Sequence, residues 1–126
     1  MRVIMFQWRF EGPILCGVKR STIRRSARCV PGTELSLRIW SDRPYRSKQR
    51  LIKSAVCTAV IPISLGLDDH GDLLVIEDGL ALSTSRMKEL AKVEGFHDLD
   101  VMREWFERNH QLKPGDDLIQ CERITW

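Results

Sequence analysis

Apolar side chains fall on every second residue from Ala55 through Cys57, Ala59, Ile61 and Ile63 to Leu65. A period of two places one row of side chains on a single face of an extended chain, so this stretch commits the protein to a β-sheet. Pro62 falls inside it. Proline cannot donate to a hydrogen-bond ladder, so the sheet is expected to have a bulge, an edge or a bend there. Asp68-Asp69-His70-Gly71 then predicts a turn, Asp72 to Glu77 a returning strand, and Asp78-Gly79 a second turn.

Other segments give weaker versions of the same signals. Val3 to Arg9 predicts a strand. Phe10, Ile14 and Leu15, with Pro13 early, predict a short helix ending near Gly17. Pro31-Gly32 is a turn signal, and Leu35, Leu37 and Ile39 alternate with Ser36, Arg38 and Trp40 as in a half-buried strand. Ser41 to Arg50 is polar and basic around Pro44 and predicts a loop. Two helices follow. Met87, Leu90, Ala91 and Glu94 share a face behind an N-cap at Ser83 or Ser85, with Gly95 as the stop. Asp98 caps the second, whose stripe is Leu99, Met102, Trp105 and Phe106, ending at Asn109 and His110. Pro114-Gly115 predicts a turn, and Leu118 to Ile124 a closing strand. Trp8, Trp105 and Phe106 are core candidates. The sum is a single α+β domain over residues 1–126, a small curved or closed sheet with helices on one side.

The chain has 126 residues, of which 43% are hydrophobic and 29% charged, the balance of a globular protein rather than a disordered one. No apolar run approaches the roughly 20 residues of a membrane helix. Cys16, Cys29, Cys57 and Cys121 have no Cys-x-x-Cys spacing. Without a secretory segment they read as reduced, mostly buried thiols of a cytoplasmic protein. His70, His97 and His110 are not at ligand spacing, so neither a metal nor another cofactor is expected. Charge is uneven. Residues 1–53 hold 13 Lys/Arg against 3 Asp/Glu, and residues 54–126 hold 7 against 14. A basic half suggests a phosphate-bearing partner, unless the halves interleave in space and cancel.

The densest chemistry lies at Gly17-Val18-Lys19-Arg20-Ser21-Thr22-Ile23-Arg24. Its pattern Gly17-x-Lys19-x-x-Thr22-x-Arg24, preceded by Phe10 and Ile14, resembles the ASCH family (activating signal cointegrator homology). So do Glu94-Gly95-Phe96 ahead of a capped helix carrying Trp105-Phe106, and Pro31-Gly32 ahead of a strand. The likeness runs in order from about Phe6 to the last strand. It implies a PUA-like β-barrel and a cleft lined by the Lys19 segment and Glu94. Some members hydrolyse the amide of N4-acetylcytidine, and the likeness then implies Lys19, Thr22 and Glu94 as the catalytic set. Other members are RNA-binding domains or ribonucleases. The Asp68–Gly79 hairpin makes this chain longer than the most compact members.

The residues themselves allow this chemistry. A threonine hydroxyl needs a base beside it, and a lysine serves only when burial or nearby cations keep it neutral. Arg20, Arg24 and Arg25 are such cations. Glu94 can exchange a proton with a leaving amine or orient Lys19. Arg24 can hold a carbonyl oxygen or a phosphate. The same residues also suit a plain structural role, with Lys19 and Glu94 as an ion pair and Thr22 as a β-branched residue starting a strand.

A second patch, Arg43-Pro44-Tyr45-Arg46-Ser47-Lys48-Gln49-Arg50 with Trp40 before it, offers cations for phosphates and rings for stacking on a base, or is simply a solvated loop. The expected partner is therefore a modified nucleoside or RNA. The expected activity is hydrolysis of an N4-acylated cytidine or related pyrimidine. The alternative is a domain that binds RNA in the same cleft without cleaving it. A protein-interaction role for the acidic helical half has no specific feature behind it.

Overall fold

The computed structural model describes all residues, 1–126, as an α+β fold of eight strands and three helices. In chain order these are β1 (Arg2–Phe6), α1 (Glu11–Leu15), β2 (Ser21–Arg24), β3 (Glu34–Trp40), β4 (Gln49–Val56), β5 (Ala59–Leu67), β6 (Leu73–Glu77), β7 (Leu80–Ala81), α2 (Thr84–Val93), α3 (Leu99–His110) and β8 (Ile119–Thr125). The strands form two sheets, ordered β1-β3-β4 and β2-β8-β5-β6-β7, and their ladders do not close into a barrel. β1 runs parallel to β3; every other pair is antiparallel. One continuous cluster of 23 buried apolar residues joins both sheets to the helices. Ile4, Leu35, Leu37 and Ile39 come from the smaller sheet, Ile63, Leu65, Val75 and Ile124 from the larger, and Leu90, Met102 and Phe106 from the helices.

The long alternation starting at Ala55 is two strands in two sheets. β4 ends at Val56 and β5 begins at Ala59. Between them Cys57 turns its backbone to another partner: its N–H donates to Thr33 O at 2.9 Å, and its carbonyl accepts from Gly32 N at 2.8 Å. The alternation survives this corner because Ala55 packs against the core before it and Cys57, Ile63 and Leu65 are buried at and after it. A period of two reports which face is buried and says nothing of which strand is the neighbour. Pro62 sits opposite Glu122 of β8, and its carbonyl accepts from Asp78 N at 2.9 Å, just beyond the last β5–β6 pair. A residue's N–H and C=O point to the same side of a strand, so the missing donor falls where that ladder has already ended.

Three more local differences have simple causes. β1 stops at Phe6, and Trp8–Phe10 forms a 3-10 turn that carries the chain into α1. That turn leaves Trp8 79% exposed, so it is not part of the core, while Phe10 points inward. The expected loop is shorter than Ser41 to Arg50, because β4 already pairs Gln49 with Trp40. Both helix caps form as expected. Ser83 Oγ accepts from Arg86 N and Asp98 Oδ1 from Val101 N, each satisfying a first-turn donor.

Candidate functional site

α1 is short, and its ending places the site's first side chain. Ile14 is fully buried, Cys16 closes the helix, and Gly17 takes the left-handed φ of 82° that a helix C-terminus favours. Lys19 N then donates to Pro13 O at 2.9 Å. Arg20 N donates to Val93 O at 2.8 Å, docking this segment on the last turn of α2.

That turn carries Glu94. It is the C-cap of α2, and Gly95 N to Lys92 O with Phe96 N to Ala91 O completes a Schellman closure. Gly95 has φ 86°, and a Cβ built there would lie 2.9 Å from Lys19 Cδ and 3.1 Å from Lys19 Cβ. Glycine is therefore required twice: for the backbone angle, and for the aliphatic stem of Lys19 lying across it.

Lys19 and Glu94 are two charged residues inside the core, 3% and 2% exposed. They do not form the ion pair that their types suggest. Lys19 Nζ donates to two main-chain oxygens, Ser21 O and Glu94 O, both at 2.7 Å. The Glu94 carboxylate accepts a hydrogen bond from the Ser21 hydroxyl. The ammonium also lies over the rings of Phe10 and Phe6, 4.8 and 5.5 Å from their centroids. Desolvation by burial brings the Lys19 amine down from 10.5 to about 8; nearby Glu94 opposes this shift and Arg24 adds to it.

Thr22 and Arg24 follow on β2. Arg24 Nε donates to Thr22 Oγ1 at 3.2 Å and Nη2 to Met5 O at 2.8 Å. Burial, and then Arg2, lower the Arg24 guanidinium to about 10. With its oxygen accepting from Arg24, the Thr22 hydroxyl keeps its hydrogen for a guest. These groups open on one cavity of about 440 Å3. Phe6, Phe10, Phe96, Trp105 and Phe106 wall it. Phe10 meets Phe96 and Trp105 edge to face, with centroids 5.6 and 5.1 Å apart. Arg24, Arg25, Asn109, His110 and Gln111 also border it.

Of the expected site residues, the structure thus gathers Lys19, Thr22, Arg24 and Glu94 around a single cavity. Arg20 is exposed and takes part through its backbone. Trp40, Arg43, Tyr45, Arg46, Lys48 and Arg50 do not border the cavity. Tyr45 is 87% exposed and packs on Trp40 with centroids 5.1 Å apart, and Arg50 pairs with Glu11. His97 is exposed and meets only Asp98. Ser21 and His110 carry no role in the sequence reading, whereas Arg25 is expected there as a cation beside Lys19 and lies on the border of the cavity. Ser21 lies inside the dense segment and so was within reach. His110 had no local signal, because its position depends on how α3 packs. No three His, Cys, Asp or Glu residues are grouped to hold a metal ion, and no helix is long and apolar enough to cross a membrane.

The chain matches no protein-family model, and no curated protein or solved structure is significantly similar to it.

Proposed function

We propose that this protein hydrolyses the exocyclic amide of an N4-acylated cytidine or a related modified pyrimidine, as an ASCH-type domain whose two sheets are an opened relative of the PUA-like barrel. One observation carries the reading: a buried lysine with a lowered pKa shares an aromatic-walled cavity with a buried glutamate. Neutral Lys19 has two N–H donors, and Ser21 O and Glu94 O take two. Its lone pair is then left for a water molecule. That water attacks the acyl carbon and gives its proton to Lys19. The Thr22 hydroxyl and Arg24 donate to the carbonyl oxygen as it becomes an oxyanion. Lys19 then returns that proton to the departing N4 nitrogen, whose bond to the acyl carbon breaks, while the negative charge of nearby Glu94 stabilises the Lys19 amine during the time it holds the proton. The products are the carboxylic acid and the free cytosine amine. Thr22 serves here as a donor, since its hydroxyl is bonded to Arg24 and not to Lys19. The aromatic walls suit a flat ring, and four free thiols support a reducing, cytoplasmic setting.

The test is release of cytidine from a series of N4-acylcytidines, followed by chromatography. Native protein is expected to release it; Lys19→Ala and Glu94→Gln, checked for folding by circular dichroism, are not. Equal inactivity of native protein and Lys19→Ala across a broad acyl series overturns the amidase reading. A second reading, a cavity that holds a pyrimidine base of RNA without cutting it, is favoured by the absence of a Thr22–Lys19 hydrogen bond and by the exposed basic loop. Base binding without turnover selects it.

A further inference from the structure

The cavity is graded from floor to rim. Lys19, Thr22 and Glu94 at the floor are almost wholly buried; Arg24 and His110 are half-buried; Arg25, Asn109 and Gln111 are exposed at the mouth. The charge is graded too. The only carboxylate bordering the cavity is Glu94, and its oxygen is held by Ser21. Neither Arg24 nor Arg25 forms an ion pair, and the Arg25 side chain makes no hydrogen bond within the protein. Arg24 has committed Nε and Nη2, which leaves Nη1 free. A rim that holds two arginines and a histidine with no acid to pair them is built to receive an anion.

We propose that Arg25 and His110, with Arg24 beneath them, form a phosphate subsite, so that the ligand of this cavity is a pyrimidine nucleotide rather than a bare nucleoside. This rests on the base-binding reading of the floor. The base reaches Lys19 and Glu94 between the aromatic walls, the ribose spans the half-buried zone, and the phosphate meets the rim. His110 fits the role in a second way. Burial, and then Arg25 and Arg24, hold its pKa below the usual histidine value, and a bound phosphate offsets both arginines. The phosphate can belong to a free mononucleotide or to a residue within an RNA strand.

Calorimetry at low salt with cytidine, its 5′- and 3′-monophosphates and a cytidine-centred trinucleotide separates these. At least one phosphorylated ligand is expected to bind about tenfold tighter than cytidine, the scale of one charge-assisted contact. Arg25→Gln with His110→Gln is expected to cut that advantage below about threefold, since both lie at the rim and not in the core. Bound phosphate should also move the His110 ring signals in NMR spectra, and inorganic phosphate alone should do so weakly. A gain for monophosphates points to a mononucleotide, and a gain for the trinucleotide alone points to a strand. The proposal is overturned if all four ligands bind within about twofold of each other, or if the advantage survives the double substitution. Turnover of an N4-acylcytidine with no phosphate preference removes the subsite and leaves the amidase reading. A phosphate preference without turnover does the reverse.

Discussion

Lys19 and Lys48 have the same side chain, and both lie close to arginines in sequence. Lys19 is 3% exposed, with two carbonyl oxygens on its amine and two phenyl rings beside it. Lys48 is exposed on a loop where Tyr45 is 87% exposed. Water screens the loop charges, so each adds little to stability. The buried lysine has lost that water. Its hydrogen bonds are fixed and its proton is held less tightly. The same residue type therefore gives a solvated surface charge in one region and a buried, hydrogen-bonded amine in the other.

The sharpest way to break this contrast is catalytic. Lys19→Ala is expected to lower cytidine release about a thousandfold, the scale of a lost general base. Arg43→Gln/Arg46→Gln/Lys48→Gln is expected to change turnover of a small substrate by less than about twofold, because exposed charges remote from the cavity act weakly on it. Comparable losses from both variants would mean that burial is not what separates the regions.

The next effect is in pH. The folded Lys19 amine titrates near 8 and the unfolded one at 10.5. Between those values the unfolded chain binds more protons, so stability rises with pH across that window. The rise attributable to Lys19 is roughly 3 kcal/mol. Hydrolysis should likewise increase as pH passes about 8, where neutral Lys19 accumulates. Urea denaturation of native protein and Lys19→Met from pH 8 to 10.5 checks this. The variant should lose that part of the slope, while Lys48→Met should keep it.

A smaller effect concerns the backbone. Gly95→Ala combines a left-handed φ with a clash on the Lys19 stem, and is expected to cost about 2 kcal/mol or more. Tyr45 also has a positive φ, 62°, but nothing presses on it at the surface. Tyr45→Gly should stay within about 0.5 kcal/mol, relief of the backbone offsetting the lost contact with Trp40. The two midpoints in urea decide it. The smallest expected effect belongs to the loop itself. If it meets RNA phosphates, the triple Gln variant should lose about tenfold in affinity at low salt, and the salt dependence should flatten. An unchanged salt slope, measured by fluorescence anisotropy, would leave the loop without that role.

The elements that local chemistry specifies were legible. Ser83 and Asp98 cap their helices, Gly95 ends one, and Asp78-Gly79 turns with φ of 51° and 82° as the tight hairpin signal requires. The residues that border the cavity were legible in part: Lys19, Thr22 and Arg24 lie within one short segment, while Arg20, Trp40 and the basic loop after it lie away from the cavity. What Lys19 bonds to was not. Sequence suggests a side-chain ion pair with Glu94, and the structure instead sends Lys19 to main-chain oxygens and Glu94 to Ser21. Main-chain acceptors are the same at every residue and leave no trace in composition.

Local chemistry along the chain dictates where faces alternate, where helices start and stop, and which segment concentrates cations. Each of these depends on neighbours within a few residues. Only tertiary packing splits the row from Ala55 to Leu65 between two sheets at Cys57, turns Trp8 to solvent, and brings Arg25 and His110 to the border of the cavity that holds Lys19. Those outcomes depend on which distant segments displace water from one another. Burial, which turns an ordinary lysine into one that titrates near 8, belongs to the packed chain and to no single stretch of it.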